Sequence, residues 1–485
     1  MSLLDFFRSI LRHLAAMLIF PSTLKTMAVS PKSSNTQVTV VETTANPPSL
    51  DSLKDEIMRL FRQPCTIRRM LSMSSALRIQ YKSKLQDSEA CMLPSFCHTL
   101  PTGQETGTFI SLDVGGSTFR IAMVELRGRD GQDSPMTIRH MSTFKIDEPI
   151  RRLPSVQFFD WMAGRIQDMM KAYPEECSSA EPVSLGLAWS FPIEQTSHRS
   201  GKMQGMGKGF ACHEDTIGMD LGGLIEAACS RRQMNVRLNA IVNDSSATLL
   251  SQAYLEPATS MGLILGTGTN AAAYLPTASE TRWDETLNKE HQRPDFQPLE
   301  YMTTGRYLGE LLRLMIIEAV ETAELFGGVL PRCLAESYSL DTEILAKLEQ
   351  DRSKNMRDSV SMLQTAFGLA TPPTLDEVAF LRAAAEAISY RASAYISVAV
   401  HALWALQKDA DINPKSATGN PKTSIACNGS VILKYPGFRT RCEGLLRQMI
   451  ADEGRGSAND DLVLQSTEEA AVFGAAVAVA LADVP

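Results

Sequence analysis

Residues 92–120 read MLPSFCHTLPTGQETGTFISLDVGGSTFR, and this stretch carries the strongest structural signal in the chain. A loop rich in proline and glycine leads into the apolar run Phe109 to Val114, which predicts a buried strand. Gly115-Gly116 allows a tight turn whose backbone can approach an anion, and apolar alternation resumes from Thr118 to Leu126 as a second strand. Asp113 precedes the turn, where a carboxylate is suited to hold the water shell of Mg²⁺. An ordinary hairpin has the same local pattern, so both interpretations stay open at this point.

A second copy of this strand-turn-strand pattern lies further along the chain. Met261 to Pro276 reads MGLILGTGTNAAAYLP, with an apolar strand, a Gly-Thr-Gly-Thr turn and a returning apolar strand. Two such hairpins that face each other across a cleft are the way in which actin-like ATPases hold the phosphates of a nucleotide. The run Asp220-Leu221-Gly222-Gly223 looks like a third copy, but the sequence LIEAACSRR after it has helical spacing and predicts a helix start.

Composition limits the classes of protein that fit. At 485 residues and 44% hydrophobic content, the chain is long enough for two or three units with full cores. A net charge of −8 argues against a nucleic-acid partner. Nine cysteines without a C-x-x-C pair, and seven dispersed histidines, predict free thiols in a reducing, cytoplasmic setting. No metal is expected beyond the Mg²⁺ that ATP carries.

The N-terminal 50 residues differ in character from the rest. Apolar residues recur at helical spacing from Leu3 to Met17, beside arginines, whereas Leu14 to Phe20 is too short to span a bilayer. A membrane-surface or mitochondrial address through residues 2–20 and a free or self-docked extension are both open interpretations. Ala28 to Leu50, rich in Ser, Thr, Pro and Asn, predicts a disordered linker.

Four further stretches narrow the interpretation. They are Leu185–Phe210 (LGLAWSFPIEQTSHRSGKMQGMGKGF), Ile241–Leu249 (IVNDSSATL), Phe296–Glu310 (FQPLEYMTTGRYLGE) and Gly429–Phe438 (GSVILKYPGF). In that order, they resemble the sugar-binding, catalytic, second sugar-binding and adenosine-binding segments of the hexokinase family. Residues 92–120 resemble the first phosphate segment of the same family. The resemblance runs in unbroken order from about residue 51 to the C-terminus.

The resemblance implies an α/β fold, the two-lobed actin-like ATPase (ribonuclease H-like) fold with a cleft between a small and a large domain. Helical stretches at Leu308–Leu325 and Glu377–Leu406, which alternate with strand runs, support the α/β class. We expect residues 51–108 to form the N-terminal helical part of the large domain, with Leu53, Ile57, Leu60 and Phe61 on one helix face. The small domain would span 109–244 and the large domain 245–460. Residues 461–485 would return to the small domain as a helix from Glu468 to Ala482.

The predicted chemistry is phosphoryl transfer, which needs positioning, charge neutralisation and one base to accept the hydroxyl proton. Asp244 is the candidate base, because it follows the end of the apolar run Leu238 to Val242. An Asn-Asp pair is also a common turn or helix cap. Lys208 is the second candidate catalytic residue, near the transferring group.

The residues expected to bind the sugar are Ser190, Phe191, Gly207, Lys208, Asn243, Asp244, Asn270 and Glu300. The residues expected to bind Mg-ATP are Asp113, Gly115, Gly116, Ser117, Thr118, Arg120, Gly266, Thr267, Gly268, Thr269, Gly429 and Ser430.

Departures from the glucose-kinase pattern leave the sugar open. Ser117-Thr118 stands where the family usually has Thr-Asn, and Met206-Gly207 stands where it has Trp-Thr. The family's Glu-Trp-Gly segment, which bears a second sugar-binding glutamate, is also absent. Smaller and fewer residues around the sugar leave space for a larger substrate.

Three interpretations fit that space. In the first, which we favour, the sugar is N-acetylglucosamine, because GGST, Trp189 and the small residue before Lys208 look like the fungal N-acetylglucosamine kinase branch. Met206, Gly207 and Trp189 would supply room and an apolar wall for the acetamido group. The second is a glucose kinase with relaxed contacts. The third is a catalytically silent sugar-binding regulator, since Glu469-Ala470-Ala471-Val472 replaces the family's Asp-Gly-Ser-Gly loop. The joint presence of Asp244, Lys208, Asp113 and Glu300 argues against silence.

Overall fold

The structure is a computed structural model of the chain. It describes residues 49–87, 95–97, 99–131, 134–177, 181–206, 210–211, 215–266, 268–273, 298–410, 422–454 and 461–482. The described residues all belong to the unit formed by residues 47–485. The predicted N-terminal helix and most of the predicted linker lie outside the described residues.

The strands are β1 Thr106–Val114, β2 Thr118–Arg127, β3 Met136–Lys145, β4 Val183–Trp189, β5 Ile193–Ser197, β6 Ser200–Met203, β7 Val236–Asn243, β8 Thr259–Leu265, β9 Thr269–Ala273, β10 Lys422–Asn428 and β11 Asp461–Ser466. The helices are α1 Leu50–Arg62, α2 Ile67–Asp87, α3 Glu148–Arg151, α4 Ser155–Ala172, α5 Pro174–Cys177, α6 Leu221–Arg231, α7 Asp244–Leu255, α8 Pro298–Thr303, α9 Gly305–Ala323, α10 Thr342–Gln350, α11 Arg357–Phe367, α12 Leu375–Asp409, α13 Ser430–Lys434, α14 Phe438–Glu453 and α15 Ala470–Ala482. Short 3₁₀ turns lie at Gln63–Cys65, Leu325–Gly328, Arg332–Leu334 and Lys354–Met356.

The first sheet has the strand order β3-β2-β1-β4-β7. β1 and β2 form the antiparallel hairpin that the sequence predicts, while β4 and β7 run parallel to β1. Side chains alternate between the two faces of the sheet. Leu187 therefore joins the core under α4 and α6, whereas Ala188 joins the core under α7 and α15. A Cβ built at Gly474 would lie 2.0 Å from the carbonyl oxygen of Ala247, so α15 crosses α7 in direct backbone contact.

The second sheet has the order β11-β10-β8-β9, with the predicted second hairpin at β8 and β9. α1 and α9 to α14 contribute to its large hydrophobic core. The 35-residue helix α12 starts with a capping box, in which Thr374 and Glu377 satisfy each other's backbone N–H groups. The two sheets and their helices confirm an α/β fold, whereas the domain boundaries at residues 108, 244 and 460 stay a prediction.

The predicted helices are present with shifted ends. The stretches around Leu308–Leu325 and Glu377–Leu406 are helical as α9 and α12, and Asp220 caps α6 where a helix start was predicted. Leu60 lies on the same helix face as Leu53, Ile57 and Phe61, as expected, but is less buried than they are. Leu60 is 36% exposed, because it lies at the edge of the apolar stripe that Leu53, Ile57 and Phe61 define.

The C-terminal helix begins two residues later than predicted, at Ala470. Glu469 has a φ of 47° and lies in the left-handed region, so it cannot continue a right-handed helix. Among the described residues, no helix combines the length and the apolar content that crossing a membrane requires.

Candidate active site

The candidate site lies where three parallel strands of the first sheet end. Val114 of β1 pairs with Trp189 of β4, and Trp189 pairs with Asn243 of β7. The backbone N–H of Ser190 donates a hydrogen bond of 3.2 Å to the carbonyl of Val114. The residues that follow these strands therefore meet at one edge, which is where open α/β sheets bind their ligands.

Asn243 and Asp244 occupy the junction between β7 and α7. The Asn243 side chain caps the helix, accepting a hydrogen bond of 3.1 Å from the backbone N–H of Ser245. The cap interpretation of the Asn-Asp pair is thus confirmed. The cap also fixes Asp244 as the first residue of the helix, at the edge of the sheet. The alternative predictions for this pair, structural cap and reactive position, are compatible in the same fold.

Asn270 reaches this junction from the second sheet. Its Nδ2 donates to Asn243 Oδ1 at 2.6 Å and to Asp244 Oδ1 at 3.0 Å. Asn270 lies on β9 and is exposed. The structure therefore brings together three of the predicted sugar-binding residues, two from the first sheet and one from the second.

Asp113 is buried beside this group. Arg120 Nη1 donates to Asp113 Oδ2 at 2.8 Å, and Arg120 Nε lies 3.7 Å from Glu469 Oε2. The pKa of Asp113 is raised to about 6, chiefly by burial; Arg120 opposes this rise, and the charges of Asp244 and Glu469 contribute to it. The region is thus rich in carboxylates that Arg120 neutralises only in part.

The turn of the first hairpin is anchored through its backbone. The N–H of Gly115 donates to Thr118 O at 3.0 Å, which closes the turn. The carbonyl of Gly116 accepts a bond of 3.0 Å from Arg151 Nη2, and the carbonyl of Ser117 accepts one of 2.9 Å from the N–H of Ile146. These contacts hold the predicted phosphate-binding turn in one conformation.

The turn of the second hairpin is held by backbone packing. The N–H of Gly266 donates to Gly268 O at 3.0 Å, and the carbonyl of Gly266 accepts a bond of 2.8 Å from Gly305. Thr269 starts β9 directly after the turn. Gly429 has a φ of +108°, and a Cβ built on it would lie 2.4 Å from the carbonyl of Leu265. The predicted adenosine segment, where Gly429 and Ser430 precede and begin α13, therefore lies directly against this turn.

A buried aromatic cluster lies around the predicted sugar-binding residue Phe191. Trp189 and Phe191 have ring centroids 5.2 Å apart, and Phe191 and Phe210 are 5.0 Å apart. Met206 belongs to the same buried cluster. The Phe191 side chain is buried, and Phe191 directly follows Ser190 in the chain. Its direct contact with sugar stays a prediction.

Some predicted site residues cannot be placed. Gly207, Lys208 and Thr267 lie outside the described residues, and Glu300 lies on α8 with a side chain that is not described. Their roles stay predictions. Conversely, no local pattern in the sequence predicted that Arg151 contacts the first turn or that Glu469 contacts Arg120, because both contacts join residues that are distant in the chain.

Comparisons with known proteins agree on one family. Two sequence models described as hexokinase match residues 57–254 and 276–481. The chain is 28% identical to Hexokinase-2 of Candida albicans over 429 residues, covering 81% of this chain and 84% of that protein. It is 27% identical to Hexokinase-1 of Nicotiana tabacum over 462 residues, covering 87% and 90%.

Structural comparison supports the same fold. A hexokinase from Schistosoma mansoni complexed with glucose superposes with a TM-score of 0.72 at 24% identity, covering 89% of this chain and all of that one. A second hexokinase structure gives a TM-score of 0.69. The two family models together match most of the chain, including the first hairpin and the whole first sheet, so the chain belongs to the hexokinase family of ATP-dependent sugar kinases.

Proposed function

We propose that this chain transfers the γ-phosphate of ATP to the 6-hydroxyl of a hexose, with Asp244 as the general base. The observation that carries this proposal is the junction of Asn243, Asp244 and Asn270. These residues join the ends of two sheets and place a carboxylate among amide groups that suit sugar hydroxyls.

Each residue has a defined task in this mechanism. The amides of Asn243 and Asn270 orient the sugar, and the Asp244 carboxylate accepts the proton as the hydroxyl oxygen attacks phosphorus. Asp113 lies near the end of β1, just before the first turn, and a hard cation prefers oxygen ligands. Asp113 would hold the Mg²⁺ of ATP through water, and the bound ion would supply charge neutralisation at the phosphates.

Replacement of the base tests the reaction. Asp244→Asn should lower kcat by ~10²-fold or more, while the affinity for sugar measured by calorimetry stays within a few-fold. Asp220→Asn is the matched control, because Asp220 is also an acid at a helix start and Asn is an equally good cap. Unchanged turnover in Asp244→Asn would show that another group takes the proton.

Glucose is the first candidate sugar, because the relatives are named hexokinases and the Schistosoma mansoni structure contains glucose. N-acetylglucosamine, which the sequence favoured, is the second. Trp189 and Met206 are buried, at 1% and 3% exposed, in one apolar cluster. An acetamido-sized pocket beside that cluster, with Gly207 as the source of space, stays a prediction from sequence.

A direct comparison of sugars separates these candidates. Glucose, mannose, fructose, glucosamine and N-acetylglucosamine would be tested with Mg-ATP, with ADP release as the measurement. If Gly207 clears space for an acetamido group, Gly207→Thr should move the ratio of kcat/KM values toward glucose by about ten-fold. A ratio that stays constant would remove Gly207 as a determinant of the sugar.

The regulator interpretation predicts a different outcome. A parent protein that binds sugar in calorimetry but releases no ADP with any of these sugars would support a sugar-binding regulator. A cytoplasmic location, or attachment to mitochondria or a membrane surface through residues 2–20, stays a prediction from sequence.

A further inference from the structure

Glu469 lies at the start of α15, where the chain returns from the second sheet to the first. Thr467 fixes this connection, since its N–H donates to Cys427 O at 3.0 Å and its hydroxyl bonds Gln252 of α7 at 3.2 Å. The carbonyl of Glu469 accepts a hydrogen bond of 3.1 Å from the N–H of Phe473, within the first turn of the helix. Glu469 therefore has a fixed backbone position, and its left-handed conformation directs the chain into α15.

The side chain of Glu469 shares Arg120 with Asp113. Arg120 Nε lies 3.7 Å from Glu469 Oε2, and Arg120 Nη1 bonds Asp113 Oδ2 at 2.8 Å. Two carboxylates thus hold two different nitrogen atoms of one guanidinium. The Arg120 and Glu469 side chains are 36% and 35% exposed, so both face solvent at the edge of the predicted phosphate site.

This arrangement has a consequence for a polyanion. Arg120 is adjacent to the first hairpin turn, and its donors are the groups that a phosphate would use. At 3.7 Å Glu469 forms an ion pair with Arg120, so it offsets part of the guanidinium charge and adds a negative charge next to the phosphates. The repulsion energy between two like charges varies as the inverse of the distance between them. Water and salt reduce this energy without abolishing it.

We propose that Glu469 is a positioning residue that holds Arg120 toward Asp113 and thereby weakens the binding of ATP. This inference rests on the proposed function, because it assigns the phosphates of ATP to the first hairpin turn. Loss of the charge at residue 469 should therefore tighten nucleotide binding, whereas loss of a residue with a purely structural role would loosen it.

The test uses three variants of the full chain. Glu469→Gln keeps the shape and removes the charge, Glu469→Asp keeps the charge, and Glu468→Gln removes the charge of the exposed neighbouring residue. Glu469→Gln should lower KM for ATP about three- to ten-fold with little change in kcat, the pattern of uniform binding. Glu468→Gln should stay within about two-fold of the parent, and Glu469→Asp, which keeps the charge but shortens the reach to Arg120, should fall between the parent and Glu469→Gln.

Two further measurements distinguish this effect from a change in folding. The gain in Glu469→Gln should shrink as salt rises from about 0.05 M to 0.5 M, because salt screens an exposed charge. Calorimetry with Mg-ADP should show the same tightening without turnover. If the parent binds Mg-ADP and Glu469→Gln binds it equally or more weakly, this inference is overturned and the proposed function is not affected. A parent that binds no Mg-ADP overturns the proposed function together with it.

Discussion

The two hairpin turns share one sequence pattern but are built differently. The β1–β2 turn is flanked by charge, with Asp113 buried before it and Arg120 after it. The β8–β9 turn has no ionisable residue of its own between Leu265 and Thr269, and Gly429 packs against it through backbone atoms alone. The first turn tolerates charge because Arg120 compensates Asp113, whereas the second tolerates only glycine at its contact.

This difference indicates a division of labour in the phosphate site. A charged turn can position a cation and respond to pH, whereas the second turn offers only neutral groups, its backbone N–H groups and its threonine hydroxyls. The repeat in the sequence therefore predicts two similar strand pairs without predicting similar sensitivity to mutation. Substitutions at matched glycines and at Asp113 measure that difference.

The largest expected effect on stability is at Gly429. In Gly429→Ala the new Cβ would lie 2.4 Å from both the carbonyl carbon and oxygen of Leu265, and the φ of +108° is unfavourable for alanine. Backbone strain and the forced displacement together should lower the free energy of unfolding by about 3–5 kcal/mol. Urea denaturation followed by circular dichroism measures it.

A matched glycine separates the clash from the strain. Gly437 also has a positive φ, of +67°, but a Cβ there has nothing within 4 Å. Gly437→Ala should therefore cost about 1 kcal/mol, the strain alone. Equal losses in the two variants would mean that contact with the second turn contributes nothing.

Asp113 gives the next largest effect, through pH. Its pKa is about 6 in the folded protein, against an ordinary value of 3.8, because burial disfavours the charged form. Between these values the folded state holds a proton that the unfolded chain has released, so stability falls as pH rises and is lowest above pH 6. The shift corresponds to roughly 3 kcal/mol.

Asp113→Asn removes this pH dependence. The free energy of unfolding of the variant relative to the parent should rise by roughly 2–3 kcal/mol from pH 4 to pH 7, measured by urea denaturation at several pH values. Asp168→Asn is the control, because Asp168 is an exposed acid on α4 and should give no such trend. A difference between Asp113→Asn and the parent that does not vary with pH would contradict the buried, protonated state.

The sequence predicted the local features of this comparison and missed the long-range ones. Both hairpins, the helix start after Asp220 and the cap before Asp244 follow from periodicity and turn chemistry. The late start of α15 depends on the left-handed backbone conformation of Glu469, a conformation that glutamate rarely adopts.

The contacts of Arg151 with Gly116 and of Gly429 with Leu265 join residues that are far apart in the chain. Local spacing contains no information about such pairs. These contacts also decide how each turn responds to substitution, so the sequence could identify the two turns without distinguishing them.

The smallest expected effect on stability is at Gly115, the glycine that closes the first turn. A Cβ built there would meet only Thr118 O, at 3.5 Å, which is an ordinary contact, and its φ is not positive. Gly115→Ala should therefore change the free energy of unfolding by less than about 0.5 kcal/mol.

If the turn binds phosphate, the added methyl group occupies the path of the anion, and KM for ATP should rise about ten-fold. Gly205→Ala, whose Cβ would have no described atom within 4 Å, should change neither quantity. A variant at Gly115 that loses more than about 2 kcal/mol of stability would show that the first turn is as tightly packed as the second. An unchanged KM would instead move the phosphates away from this turn.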